Sequence, residues 1–258
     1  MDLDLKGKIV LVAGGSKGIG FSCARLFASE GARTALSSRS QANLDRALAQ
    51  VPGASGFAAD LSFEDQALQL VEKIERDIGP IDILVNCAGA ARRTPASQLT
   101  PALWRSAMDA KYFSYINVID PVVKRMAARG AGVIVNVIGS GGKIASPTHL
   151  AGGAANAGLM LATVGLARAY AEQGVRVVGI NPGLTETDRV AEGMKAEAAL
   201  AGISVEEALA NALQRIPLGR MAAPEDIAQF VAFLSSPRAS YITGVIVNMD
   251  GALSSTII

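Results

Sequence analysis

Residues 8–31 read KIVLVAGGSKGIGFSCARLFASEG: an apolar run, a glycine loop and a helical pattern in direct succession. The run at 8–13 predicts a strand, apolar at nearly every position, as expected where helices cover both faces of a sheet. Glycine is needed in the loop because the backbone must turn tightly and come close to a pyrophosphate. Free N–H groups at the following helix N-terminus then meet the phosphate charge. A glycine cluster alone is weak evidence, but its place after a strand and before a helix favours a dinucleotide site over a structural turn. Gly14, Ser16, Lys17, Gly18, Ile19 and Gly20 are the candidate phosphate-binding residues. The next strand, RTALSS (33–38), ends at Ser37-Ser38-Arg39. An NAD-specific site would carry a carboxylate there for the ribose 2′-hydroxyl, whereas Ser38 and Arg39 suit a 2′-phosphate. Lys17 adds a second cation, so NADP(H) is favoured over NAD(H); the plain alternative makes both basic residues surface charges.

Working outward, further β-rich runs appear at 81–86 (IDILVN), 132–137 (GVIVNV), 175–180 (VRVVGI) and 245–249 (VIVNM), with a weaker one at 56–59. Helical patterns separate them. This alternation predicts an α/β fold, a doubly wound parallel sheet of about seven strands with helices on both faces, Rossmann-like and in a single domain. One stretch stands apart: at about 185–219, polar helical sequence is inserted between two strands, where a substrate lid or a surface excursion would sit.

Composition excludes several classes. Half of the 258 residues are apolar and 18% are charged, and mean hydropathy is +0.32, values foreign to disordered or fibrous chains. Twenty-four basic residues balance 23 acidic ones. No global field draws the chain to nucleic acid or an anionic membrane. The apolar segment from Leu150 to Tyr170 contains Asn156 and Arg168 and reads as a buried helix, not a membrane span. Cys23 and Cys87 make no disulfide framework, and with the single His149 they make no metal site. No signal peptide is legible, so a cytoplasmic location is expected.

Several motifs in order resemble the short-chain dehydrogenase/reductase family, and the resemblance spans essentially the whole chain. The family's TGxxxGIG appears as AGGSKGIG, its adenine-contacting acid matches Asp60 beside Leu61, and its NNAG matches Asn86-Cys87-Ala88-Gly89. Its PGxxxT matches Pro182-Gly183-Leu184-Thr185-Glu186-Thr187. By that resemblance Asp60, Leu61, Asn86, Ala88, Gly89, Pro182, Gly183, Thr185 and Thr187 join the cofactor set. It also implies a homodimer or homotetramer, in keeping with the small residues at 151–173.

The catalytic motif departs from the pattern. Hydride delivery to a carbonyl develops negative charge on oxygen, which needs a proton or a strong hydrogen bond. The family supplies a Tyr, a Lys four residues on, a Ser and an Asn. Here Gly152 stands for the Tyr, Asn156 for the Lys, Gly139 for the Ser and Lys111 for the Asn. Asn156 retains hydrogen-bonding capacity for the nicotinamide ribose. Three residues are candidate replacements for the lost catalytic groups. Ser140 lies one place late in a glycine-flanked loop, and it is either a substrate hydrogen-bond donor or solvated. His149 precedes Gly152 by three, so its imidazole either enters the phenol's space or is a packing residue. Lys111 either replaces the missing cation or extends to solvent.

Three functions compete. The first is an NADP(H)-dependent oxidoreductase acting on a small carbonyl or hydroxyl compound through rearranged acid/base groups. The second is a catalytically inactive or regulatory NADP-binding protein. The third, a cofactor-independent enzyme like halohydrin dehalogenases, ranks last, because that branch loses the glycine loop and keeps a Ser/Tyr pair.

Overall fold

Apolar residues on both faces of each central strand demand two covering layers, and the fold supplies them. The computed structural model describes residues 2–89, 91 and 93–255. Its first half runs β1 (Ile9–Ala13), α1 (Gly18–Ser29), β2 (Arg33–Ser38), α2 (Gln41–Leu48), β3 (Ser55–Ala58), α3 (Glu64–Asp77) and β4 (Ile83–Asn86). Next come α4 (Pro101–Ala107), a π-helical turn (Met108–Phe113), α5 (Ser114–Arg129), β5 (Gly132–Val137) and α6 (Leu150–Tyr170). The chain closes with β6 (Val175–Pro182), α7 (Asp188–Ala201), α8 (Val205–Gln214), α9 (Pro224–Ser235) and β7 (Ile246–Met249).

The seven strands lie in the order β3-β2-β1-β4-β5-β6-β7, every neighbouring pair parallel. The two-residue period of β1 sorts its side chains. Leu11 and Ala13 join a core with Leu70, Ile74, Tyr115 and Leu159 from α3, α5 and α6. Val10 and Val12 join the opposite core with Phe27, Leu44, Ile227 and Val231 from α1, α2 and α9. Each such fully buried side chain contributes about 1.5–3 kcal/mol. The strand order reverses between β1 and β4, so the crevice beyond their carboxyl ends is where this topology receives ligands.

The strand read from the sequence as 81–86 begins at Ile83 instead. The reason is local: the Asp82 carboxylate accepts the Ile9 N–H and its own N–H donates to the Ile9 carbonyl. The inserted stretch forms α7 and α8, which close over a small core of their own, Met194, Ala198 and Ala208. Helix α6 has the length and apolarity of a membrane span, yet two of its buried positions are polar, and Thr163 accepts a hydrogen bond from Asn136 of β5. That face belongs against the sheet.

Candidate functional site

The glycine loop is built for close approach. At Gly14 (φ +79°) a Cβ would lie 2.6 Å from the Ala88 Cα, and at Gly20 it would strike the Gly14 carbonyl oxygen and come within 3.1 Å of the Cys87 Cβ. The loop can therefore nest against the end of β4 only as glycine. Helix α1 opens at Gly18 with Lys17 as its N-cap, which makes no side-chain capping bond, and with no acidic residue in its first turn. Its first N–H groups have no partner within the helix and suit an anion. Thr187 closes this end, its Cγ2 3.1 Å from a Cβ placed on Gly18. Lys17 and Arg39 are exposed and, among the described residues, neither forms an ion pair. An open groove of about 380 Å³ flanks the loop between Lys17, Asn43, Arg46 and Thr187.

The other expected cofactor residues divide. Asp60 holds its own turn, accepting from the N–H and hydroxyl of Ser62, and Leu61 gives its carbonyl to Asn117. Gly89 (φ +78°) is pressed against the Ala110 carbonyl, and Gly183 against Asp250. Thr185 turns back to the Gly183 carbonyl and Thr187 to that of Thr185. Asn86 is fully buried and donates to Asn136 Oδ1 at 2.9 Å, so its side chain ties β4 to β5.

The region around the family's catalytic positions is shaped by glycine on both sides. Ser140–Gly142 forms a short 3-10 turn after β5 that rests on the first turns of α6. A Cβ at Gly142 would fall 2.7 Å from the Ala157 nitrogen, and one at Gly153 would fall 2.7 Å from the Gly141 carbonyl oxygen. Turn and helix meet backbone to backbone. His149 is the N-cap of α6, and its imidazole folds back over Gly152. A Cβ on Gly152 would lie 2.7 Å from Nε2, nearer still to Cε1, and 2.8 Å from the Ala91 Cβ. On the other side, a Cβ on Gly141 would lie 2.9 Å from His149 Cδ2. The ring is therefore clasped between two glycines. It covers the point from which a side chain at 152 would emerge.

Asn156 sits one turn further on, 4% exposed, its amide nitrogen 3.5 Å from the Gly139 carbonyl oxygen. Both Asn156 Oδ1 and His149 Nδ1 are buried without a hydrogen-bond partner. Such orphans cost about 1–3 kcal/mol each, which marks them as groups kept for a ligand or solvent. Ser140 is half-buried at the turn. Lys111 neither reaches solvent nor lies open to the crevice. In the π-helical turn, a feature often found at functional sites, it is buried and donates to Tyr115 Oη at 2.8 Å and to the Val137 carbonyl at 3.2 Å. Tyr115 donates to the same carbonyl.

Electrostatics follow from this packing. Burial, with the Arg189 charge adding to it, lowers Lys111 from 10.5 to about 7. Burial also lowers His149 from 6.5 to about 4, helped by the charges of Arg93, Arg189 and Lys111. The imidazole is therefore neutral at pH 7. Sequence reasoning missed Arg93 and Arg189. Arg93 extends over Gly193 to Glu197 (3.0 Å) and to Thr148 Oγ1 (3.4 Å), while Arg189 in the first turn of α7 reaches toward the Gly89 carbonyl (3.4 Å). The one available signal was an arginine at a helix N-terminus, where the dipole disfavours it.

Comparison with known proteins agrees with this geometry. Residues 13–254 match the family model described as enoyl-(acyl carrier protein) reductase. The chain is 33% identical to the 3-oxoacyl-[acyl-carrier-protein] reductase FabG of Thermotoga maritima, over 96% of this chain and 98% of the relative. Among solved structures it is similar to an actinorhodin polyketide ketoreductase with NADPH (29% identity, TM-score 0.93, covering 97% of this chain and 98% of the other). It is also similar to the L-sorbose reductase of Gluconobacter frateurii complexed with NADPH and L-sorbose (28%, 0.91, 100% of each). A seven-stranded doubly wound sheet, a glycine loop spent on backbone approach and full-length likeness to reductases agree: the chain belongs to the short-chain dehydrogenase/reductase family of oxidoreductases.

Proposed function

We propose that this protein is an NADP(H)-dependent oxidoreductase of a small carbonyl or hydroxyl compound, in which His149 occupies the space of the family's catalytic phenol. The observation that carries the reading is the imidazole lying over Gly152, with Nε2 2.7 Å from the point where a side chain would begin. A helix that had merely lost its tyrosine would leave a void or a collapsed wall. Here a proton-bearing ring fills the place, and glycines at 141 and 152 give it room.

The residues present fit the cofactor. A cradle that a Cβ at Gly14 or Gly20 would fill, an α1 N-terminus free of acidic residues, and the orphaned Asn156 Oδ1 all suit an anionic dinucleotide with ribose hydroxyls. Gly14, Ser16, Lys17, Gly18, Ile19 and Gly20 would hold the pyrophosphate end, with Ser38 and Arg39 at the 2′-phosphate and Asp60 and Leu61 beside the adenine. Gly89, Pro182, Gly183, Thr185 and Thr187 would line the nicotinamide end. The cofactor, when bound, supplies or accepts the hydride. Asn156 orients by hydrogen bonding but supplies no positive charge, so the family's way of lowering a phenol's pKa is absent.

Neutral at working pH, His149 would accept the hydroxyl proton in oxidation; in reduction the same proton, taken up by the ring from solvent, would pass to the oxygen as the hydride arrives. Lys111 is a positioning residue: its bonds to Tyr115 and the Val137 carbonyl fix the end of β5, from which the Gly139–Gly142 turn departs. Ser140 would provide a second hydrogen bond to the substrate oxygen. Titration with NADPH and with NADH, followed by nicotinamide fluorescence, tests the cofactor assignment. Binding of NADPH at least tenfold tighter than NADH, reduced in Arg39→Ser, is expected, and equal or absent binding would overturn it. The small-residue positions of α6 support a homo-oligomer, which sedimentation would read directly.

A further inference from the structure

Two arginines missed by motif reading border the crevice near His149: Arg93 reaches Thr148 Oγ1, the residue before it, at 3.4 Å, and Arg189 reaches the Gly89 carbonyl at 3.4 Å. Arg93 comes from the segment after β4 and reaches α7, whereas Arg189 comes from the first turn of α7 and reaches back to the segment after β4. Both act electrostatically on His149, as does Lys111. The two arginines are unequally partnered. Glu197 pairs with Arg93 at 3.0 Å, whereas Arg189 forms no ion pair with a carboxylate within 4 Å among the described residues. Its one recorded bond, to the Gly89 carbonyl, is long at 3.4 Å.

This arrangement is costly to the protein alone. Arginine at a helix N-terminus opposes the dipole, and although Arg189 as a residue is exposed, crowding around its head group holds the guanidinium below its ordinary pKa. Like charges gathered around a buried ring repel each other. A compact anion between Arg189 and Arg93 would relieve each of these terms, and guanidinium is the side chain best matched to carboxylate or phosphate geometry.

We infer that the substrate is an anionic oxo or hydroxy compound whose charged group is taken by Arg189, assisted by Arg93, placing its reacting oxygen at His149. The inference rests on the oxidoreductase reading and names the substrate class of that same site. It also joins recognition to chemistry. With the anion in place, the Arg93 and Arg189 charges no longer oppose protonation of His149, so its pKa rises and the proton-carrying imidazolium is populated only when the right substrate is seated. Arg93 and Arg189 also bridge the β4 side of the crevice to α7, so the same anion would draw the α7–α8 insertion onto the site.

The test uses the full chain, with and without NADPH. Probes are 2-oxobutanoate and 3-oxobutanoate, each beside its neutral methyl ester, and dihydroxyacetone phosphate beside dihydroxyacetone, with binding measured by calorimetry and saturation-transfer NMR. One member of a pair binding about tenfold to hundredfold better for carrying the charge is expected, in line with a charge-assisted hydrogen bond. Preference for the acids identifies a carboxylate, and preference for the phosphate alone identifies a phosphate. In Arg189→Gln the preference should fall to within about twofold of the neutral probe, and Arg189→Lys should restore part of it. Neutral probes binding as well as charged ones, no binding of any anion with or without NADPH, or a preference that survives Arg189→Gln would each overturn the inference. NADPH affinity, measured on the same samples, reports the cofactor reading separately and verifies that the variants are folded.

Discussion

Replacing Gly152 by alanine places a methyl group where the His149 ring now lies. The new Cβ would sit 2.7 Å from Nε2 and 2.8 Å from the Ala91 Cβ, against an ordinary contact of 3.4 Å or more. One of the two must move, and the ring is the freer, since it rests on the N-cap residue of α6 and not on the sheet. Overpacking of this kind costs about 1–3 kcal/mol, offset by about 0.5–1 kcal/mol from replacing glycine inside a helix. A net loss of about 0–2.5 kcal/mol is expected in urea unfolding. The larger effect is on turnover: displacing a positioned acid costs about 10²–10⁴-fold in kcat. Two controls separate the terms. NADPH affinity by nicotinamide fluorescence should stay within about threefold of the parent, and Gly152→Ala in a His149→Ala background should lower kcat no further. Parental stability together with parental kcat in Gly152→Ala would refute the placement of the ring and its role.

Other consequences are equally direct. Gly14→Ala should abolish NADPH binding and lower stability, because its methyl would lie 2.6 Å from the Ala88 Cα at a φ of +79°; calorimetry and thermal unfolding check both. Lys111 is held in the fold at about 7 against 10.5 unfolded, so the unfolded chain binds the extra proton between those values and stability rises as pH climbs from about 7 to 10.5. Lys111→Met should flatten that rise, measured as urea midpoints at pH 7 and pH 10. His149, held at about 4 against 6.5 unfolded, contributes stability that is complete above pH 6.5 and is lost as pH falls toward 4; His149→Ala should remove that loss. Glu197→Gln frees Arg93 from its 3.0 Å partner and should tighten any anion bound beside it, read as a lower KM for a charged substrate.

The sheet was legible because its signals are local and repeated. Apolar runs such as 9–13 and 132–137, each followed within two residues by a glycine, carry their own pattern, and parallel neighbours follow from the helices between them. The glycine loop was legible for the same reason: Gly14 and Gly20 declare a backbone that must be approached closely. The position of His149 was half legible. Its spacing of three from Gly152 allowed one face, but the ring's fold-back from the N-cap depends on Gly141, a residue eight positions earlier in another turn. Lys111 shows the limit of spacing arguments. Nothing near it in sequence announces that the Val137 carbonyl, 26 residues away, will take its amine. Arg93 and Arg189 stayed hidden because a lone arginine carries no periodicity, and only the fold brings β4's trailing segment opposite α7.

Hydride transfer to a carbonyl that depends on His149 is the reaction to be measured. Mass-spectrometric detection of deuterium passed from 4-deuterated NADPH to a panel of oxo acids and neutral ketones, run beside His149→Ala at matched cofactor saturation, asks this directly. A monodeuterated hydroxy acid from the parent chain, formed at least about 10²-fold more slowly by His149→Ala, is the predicted result. Equal rates from the two proteins, or NADPH binding without transfer to any carbonyl, would contradict it.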